Sequence, residues 1–347
     1  MLPGPTNVPH DVMQAMQQPL LNHRSDEFHR LYESVINSLK DLFNTESLVL
    51  PLTASGTGAI EAAVANLVPA KTLVLTNGEF GSRLADMHTR NGFDVTMLPV
   101  HALTAEDDVE QKLKEDPSIT YVSMVYNDTA STVRNPLEEI ADVCSEYDKL
   151  LIVDAVSSIG GDWLDVDKMN IDVCIGASQK CLACPPGLSF ISVSERAWNH
   201  TEKRQTFYFD LLRMRTYYEE RRETPFTPAL SLYYALEKGL ELVKQEGLEK
   251  RIRRHYECSQ YLRRKLREIG MRLLIDDDNQ ASPTVTGAYL PEGVESKSFR
   301  STVADHGVII AGGIGATRTT IFRVGTMGIV TKGMVDETVK AIEAASA

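Results

Sequence analysis

Short apolar runs, most of them separated by helix-like stretches, constrain this chain more than any other feature. TLVLTN (72–77), DVTMLPV (94–100), TYVSMVYN (120–127), LLIVDA (150–155) and DVCIGAS (172–178) are close to continuously apolar. A strand with one wet face would alternate, so these read as strands buried on both faces of a largely parallel sheet. EFGSRLADMHTRNG (79–92) and PLEEIADVCSEYDK (136–149) have helical periodicity and lie between them. LSFISVS (188–194) adds a further strand. The expected fold class is therefore α/β.

Near residue 229 the pattern changes. One long helix, about 229–269, is expected to lead into the shorter strands MRLLI, TVTGAYL, GVIIAG and TTIFRV, with two more helices. This predicts a large α/β domain over 12–228 and a smaller α+β domain made of 229–347 with residues 1–11. The first dozen residues hold three prolines. Such an arm fits a path across the small domain or a partner subunit better than a place in the main sheet.

Composition excludes several roles. No apolar run approaches the roughly 20 residues that span a bilayer, and MLPGPTNVPHDV lacks the basic and apolar parts of a signal peptide. A cytoplasmic location is expected, with no membrane partner. The net charge of −12 opposes nucleic-acid binding, which needs clustered positive charge. The basic stretch KRIRRHYECSQYLRRKLRE (250–268) is interleaved with glutamates and is expected to be a solvated helix face. The five cysteines are scattered, as in a reducing compartment. Cys181 and Cys184 form a CxxC, but no second ligand pair follows and two prolines break any helix there. They are expected to be packing residues.

Ligands of open parallel sheets bind at the carboxyl ends of the strands. Polar residues end four of the runs: Asn77 with Gly78, Asn127 to Thr129, Asp154 and Lys180. A lysine desolvated at a strand end is a better free amine, and a free amine condenses with carbonyls. A carboxylate ending an apolar strand needs a cationic or hydrogen-bonding partner. SGTGAIEAA (55–63) is a glycine-containing turn opening a helix, whose free N–H groups suit an anion. Singly these are also a surface lysine, a turn cap and a helix cap. Together they specify pyridoxal phosphate, whose binding lysine is paired with an Asp at the pyridinium nitrogen.

At this point the chain resembles the class V aminotransferases of fold type I, especially the alanine–glyoxylate, serine–pyruvate and serine–glyoxylate group. The likeness runs through PGPTNVP (3–9), NHRSDEF (22–28), SGTGAIEA (55–62), NGEFGSR (77–83), VDAVSSIGG (153–161), ASQKCLACPPG (177–187) and FRVGTMG (322–328). The resemblance implies a large domain with a mostly parallel seven-stranded sheet and a smaller C-terminal domain. It implies that Lys180 is the Schiff-base lysine and Asp154 the partner of the ring nitrogen. Thr57, Gly58 and Ala59 match the phosphate-binding helix start, and Phe80 the aromatic residue stacked on the ring. Thr129 matches the hydroxyl near the phenolic oxygen, and Gln179 the polar neighbour before the lysine. Arg323 and Gly4 fall at substrate positions, the arginine gripping the α-carboxylate. Thr227, or Thr224 in the neighbouring register, matches the residue that reaches the partner subunit's phosphate in a homodimer with shared sites.

The implied activity moves an amino group from alanine or serine to glyoxylate or pyruvate. The altered loop DTASTV (128–133) bears on substrate preference. Alternatives are 2-aminoethylphosphonate–pyruvate or aspartate-type transamination, with Arg24 as a second cation, and a lyase or desulfurase of the same fold. A non-catalytic ligand-binding module is the reading from another class; such modules usually carry a DNA-binding domain, for which this chain has no room.

Overall fold

The computed structural model describes residues 1–101, 105–202 and 206–346. In chain order the first strands are β1 (Leu48–Thr53), β2 (Lys71–Thr76), β3 (Asp94–Pro99) and β4 (Tyr121–Val125). A two-residue ribbon, β5 (Asn127–Asp128) and β6 (Val133–Arg134), precedes β7 (Leu150–Asp154), β8 (Val173–Ala177) and β9 (Leu188–Val193). Seven of these form one sheet in the order β1-β9-β8-β7-β4-β2-β3. The pairs from β8 to β3 are parallel, and β9 runs antiparallel to both β8 and β1. Every residue of β4, β7 and β8 is buried, as continuous apolar runs demand.

Strand β1, LVLPLT, escapes the sequence reading because it contains Pro51. It lies at the sheet edge, paired only with β9, where a missing N–H is tolerated.

Helices cover both faces. On one side α2 (Asp26–Phe43), α5 (Ala105–Glu115), α6 (Leu137–Glu146) and α9 (Leu230–Glu246) share a core with the sheet. α1 (His10–Ala15) adds Val12 to it. The other core draws on α3 (Gly56–Asn66), α4 (Glu79–Arg90), α7 (Glu195–Trp198) and α8 (Leu211–Arg221).

The expected helix over 229–269 is two helices. Gly247, at φ +85°, ends α9, and α10 (Leu248–Glu268) starts directly after it. The break lets α9 pack on the larger core while Cys258, Leu262 and Leu266 of α10 join a separate, smaller one. That smaller core lies against the antiparallel strands β10 (Val285–Tyr289), β11 (Ala311–Gly312) and β12 (Ile321–Gly325), with α11 (Ser296–Asp305) and α12 (Lys332–Ser346). MRLLI is not a strand, since Leu273 makes only an isolated bridge to Ala288. GVIIAG is reduced to the two residues of β11 at the sheet edge.

The basic stretch 250–268 is not a uniformly solvated face. Arg251, His255 and Arg263 are 6%, 0% and 2% exposed. The two guanidinium groups are taken up by Glu246, Asp278 and main-chain carbonyls, and His255 Nε2 accepts the Gly328 N–H, which is what permits their burial. Arg264 does face solvent, beside Glu268.

The proline-rich arm crosses the small domain and reaches the lysine turn. Gly325 N–H donates to the Met1 carbonyl at 2.9 Å, and Thr6 N–H to the Gln179 carbonyl at 3.0 Å.

Candidate active site

At the carboxyl ends of β7, β4 and β8 the chain must leave the sheet, and three polar side chains converge there. Asp154, Asn127 and Lys180 line one cavity with Ser55, Gly56 and Thr57 from the start of α3 and Phe80 and Arg83 from α4. Asn77, the fourth strand-end residue, turns instead to Asn135 at 2.5 Å.

Asp154 is 7% exposed and, among the described residues, makes no ion pair. One oxygen accepts the Val156 N–H at 2.9 Å. Burial pushes its carboxyl up to about 6, and the nearby charge of Asp128 adds to the rise. Lys180 is half-buried behind the turn that follows β8. Burial brings its amine down from 10.5 to about 8, partly opposed by Cys181 and Asp154. Its Nζ donates to the Pro3 carbonyl at 2.6 Å. Gly4, at φ +106°, lies so close over the lysine that an added Cβ would collide with its Cδ and Cε.

The start of α3 is capped by Ser55, whose hydroxyl accepts the Gly58 N–H at 3.3 Å. Ala59 N–H is already in the helix ladder, bonded to the Ser55 carbonyl at 3.1 Å. Of the helix start, Ser55, Gly56 and Thr57 line the cavity, while Gly58 and Ala59 follow in the first turn of α3. Phe80 presents its ring to the cavity, with the Arg83 guanidinium 4.9 Å from the ring centre. Arg83 was missed from the sequence, although it lies three residues beyond Phe80 and so shares its helix face.

Arg323, on β12, is not among the residues lining this cavity. It is 6% exposed; Nε donates to the Gly312 carbonyl at 2.8 Å and Nη1 to the Thr129 carbonyl at 2.5 Å. Thr129 thus meets Arg323 through its backbone, and it is not among the residues lining the cavity. Gln179 lines it, and its Oε1 is buried without a partner.

Thr224 and Thr227 lie away from this cavity, in a second one with Tyr208 and Thr53. The Thr224 hydroxyl is occupied by the Phe226 carbonyl at 2.8 Å, whereas Thr227 is exposed. Arg24 does not reach the site either. It holds the same segment, donating to Glu223 and the Thr224 carbonyl, each at 2.6 Å. Cys181 and Cys184 are buried packing residues, with thiols pushed up to about 12 by burial.

The arrangement fits pyridoxal phosphate. It offers an amine of lowered proton affinity, a buried carboxyl with no cation of its own, an aromatic face and a helix start. Among the described residues no group of three His, Cys, Asp or Glu side chains is arranged for a metal. No described helix is long and apolar enough to cross a membrane.

The model of the family "Aminotransferase class-V" matches residues 2–335. An uncharacterized aminotransferase of Methanocaldococcus jannaschii is 40% identical, over 99% of this chain and 91% of its own. The alanine–glyoxylate aminotransferase of Callithrix jacchus is 33% identical over 99% and 86%. The crystal structure of ureidoglycine–glyoxylate aminotransferase from Bacillus subtilis superposes with a TM-score of 0.94 at 32% identity, covering 99% of this chain and 92% of that one.

Proposed function

Because the chain belongs to the class V aminotransferases, enzymes that depend on pyridoxal phosphate, we propose that it moves an amino group from alanine or serine to glyoxylate or pyruvate. One observation carries the transaminase part of the reading, that Lys180 and the buried Asp154 line the same cavity; the choice of donor and acceptor rests on the alanine–glyoxylate and ureidoglycine–glyoxylate relatives.

When bound, pyridoxal phosphate supplies an aldehyde that condenses with amines and a ring that takes up the electrons left when the α-proton departs. Lys180 would hold the aldehyde carbon through Nζ, Asp154 the ring nitrogen, and the start of α3 the phosphate. Phe80 gives the ring a face to stack on. Gln179 offers an unpartnered acceptor beside Lys180. Freed for the chemistry, Nζ would take the α-proton as a base and, as an acid, give it up on the cofactor side, so that the amino group stays with the cofactor and the substrate leaves as an oxo acid. The lowered proton affinity of Nζ leaves an unprotonated fraction near neutral pH that an exposed lysine lacks. Asp154, ionised by a cation at the ring nitrogen, keeps the proton there. Arg323, its plane fixed by two backbone carbonyls, pairs with the substrate carboxylate, and Gly4 admits the substrate beside Lys180.

Two features support a homodimer with shared sites. Thr227 is exposed and remote from its own chain's cavity. Beside it Phe207 and Tyr208 are 71% and 42% exposed and pack on Phe226, an apolar patch of the kind that marks an interface.

A dicarboxylate donor such as aspartate is the second reading, favoured by the Arg83 guanidinium at the cavity. A desulfurase reading finds no support, because all five cysteines are buried. The test is a donor–acceptor matrix: half-reaction spectra with alanine, serine, aspartate and 2-aminoethylphosphonate, then return with glyoxylate, pyruvate or oxaloacetate. Alanine or serine should convert the cofactor fastest; a spectrum moved only by aspartate or by the phosphonate would overturn the assignment.

A further inference from the structure

The buried charges of α10 have no role in the chemistry above. Arg251, His255, Ser259 and Arg263 recur every four residues, which places them on one helix face. Two of them, with Arg254, hold main-chain groups at Cys181 and at Gly328 to Val330. Arg251 donates to the Cys181 carbonyl from Nη2 at 2.5 Å and from Nε at 3.2 Å, and Nη1 reaches Glu246 at 2.8 Å. His255 takes the Gly328 N–H on Nε2 at 3.0 Å, its Nδ1 facing the Arg251 carbonyl at 2.7 Å. Arg254 donates to the carbonyls of Gly328 and Val330 at 3.0 and 3.1 Å.

The first of these contacts falls one residue after Lys180. In the preceding peptide, the Lys180 carbonyl accepts the Thr6 hydroxyl at 3.0 Å. The main chain at Lys180 and Cys181 is thus held at two successive carbonyls, one by the arm and one by a guanidinium. Two guanidinium N–H groups on one buried carbonyl make a charge-assisted contact that no other side chain reproduces.

We propose that Arg251 is a positioning residue for Lys180: closed on the Cys181 carbonyl, it fixes the depth at which the lysine's main chain sits and so where Nζ reaches. The inference rests on Lys180 as the residue that moves the α-proton. Arg251 touches neither the cavity nor any group assigned to cofactor or substrate. Its loss should therefore appear in proton transfer and not in binding. Misplacing a reacting group by about 1 Å costs on the order of 100-fold. Glu246 keeps Arg254 as a partner when Arg251 is removed, so the substitution strands no acid.

The test compares Arg251→Met and Arg251→Lys with the parent holoenzyme, using α-deuterated amino acid. In Arg251→Met, kcat should fall by roughly 30–300-fold, while KM and the cofactor dissociation constant stay within about threefold. The deuterium isotope effect on kcat should rise, because the proton step becomes slower. Arg251→Lys, which restores one charged donor, should recover part of both changes. In the cofactor-free protein, amide exchange in the 178–184 peptide should quicken in Arg251→Met while peptides of α2 are unaffected. Unchanged kcat, a loss carried by KM or cofactor affinity, or a lower kcat with an unchanged isotope effect would each overturn the proposal. If Arg251→Met does not fold, Arg251→Lys carries the same isotope comparison alone. Borohydride label absent from Lys180 in the parent would instead overturn the underlying reading of Lys180, and this proposal with it.

Discussion

The side-chain amine of Lys180 donates to the main-chain carbonyl of Pro3 at 2.6 Å, so a residue near the start of the chain closes on the lysine of the central cavity. The same arm passes over β12, which carries Arg323, and bonds the turn at Gln179. The amine, the arm and the small domain are in this way one assembly.

Gly4→Ala tests that contact. The residue sits at φ +106°, where a Cβ is strained by about 1–3 kcal/mol, and the new methyl would also overlap the Lys180 side chain. The variant should fold with its large domain intact and lose at least about tenfold in kcat/KM. Steady-state kinetics beside near-UV circular dichroism would check it; full activity would mean that the arm moves aside in the working enzyme.

Asp154 and Lys180 set opposite pH limbs in the cofactor-free protein. Asp154 has its carboxyl raised to about 6, so between 3.8 and 6 the folded state holds a proton the unfolded state releases. Stability contributed by this group therefore falls as pH rises through that window. Lys180 is lowered to about 8, so from 8 to 10.5 the unfolded state holds the extra proton and stability rises with pH. Asp154→Asn should remove the lower limb and stabilise cofactor-free protein near pH 7 by on the order of 1–3 kcal/mol, while reducing kcat of the holoenzyme by about 100-fold or more. Urea midpoints against pH would measure the first; an unchanged lower limb would show that another group titrates there.

Arg323→Lys should cost about 10–200-fold in kcat/KM for amino acids, since a bidentate charge-assisted contact is worth roughly 1.5–3 kcal/mol. Lysine can replace neither the fork nor both bonds to Gly312 and Thr129. Cofactor loading should barely change. A variant that loses cofactor yet keeps normal amino-acid kinetics would make Arg323 a structural residue.

Thr227→Val should raise the cofactor dissociation constant by about 5–10-fold, the loss of one hydrogen bond worth about 1 kcal/mol. Thr224→Val should not, because its hydroxyl already serves the Phe226 carbonyl. Sedimentation at micromolar concentration should show a dimer. An active monomer, or the reverse order of the two threonines, would refute the shared-site arrangement.

Lys180 and Asp154 were legible in the sequence because each ends an apolar run, where a polar residue has few structural uses. The helix start was legible as a glycine-containing turn opening a helix, and Thr57 from it lines the cavity. Strand β1 was not, because Pro51 argues against a strand unless the strand is known to be an edge. Arg251 was hidden for a different reason. A run of arginines reads as a wet face, and its partner here is the carbonyl of Cys181, an atom every residue possesses. Arg24, a candidate second cation in the sequence, has its partners in the segment at Glu223 to Pro225, contacts that no local pattern announces.

The central claim is that Lys180 is the residue joined to pyridoxal phosphate, and borohydride tests it most directly. Reduction of the holoenzyme followed by peptide mapping should place one phosphopyridoxyl group per chain on Lys180, in the peptide containing ASQKCLACPPG. Lys180→Ala should bind cofactor without forming a reducible link and should lose turnover. Label on any other lysine, or a fully active Lys180→Ala, would contradict the account.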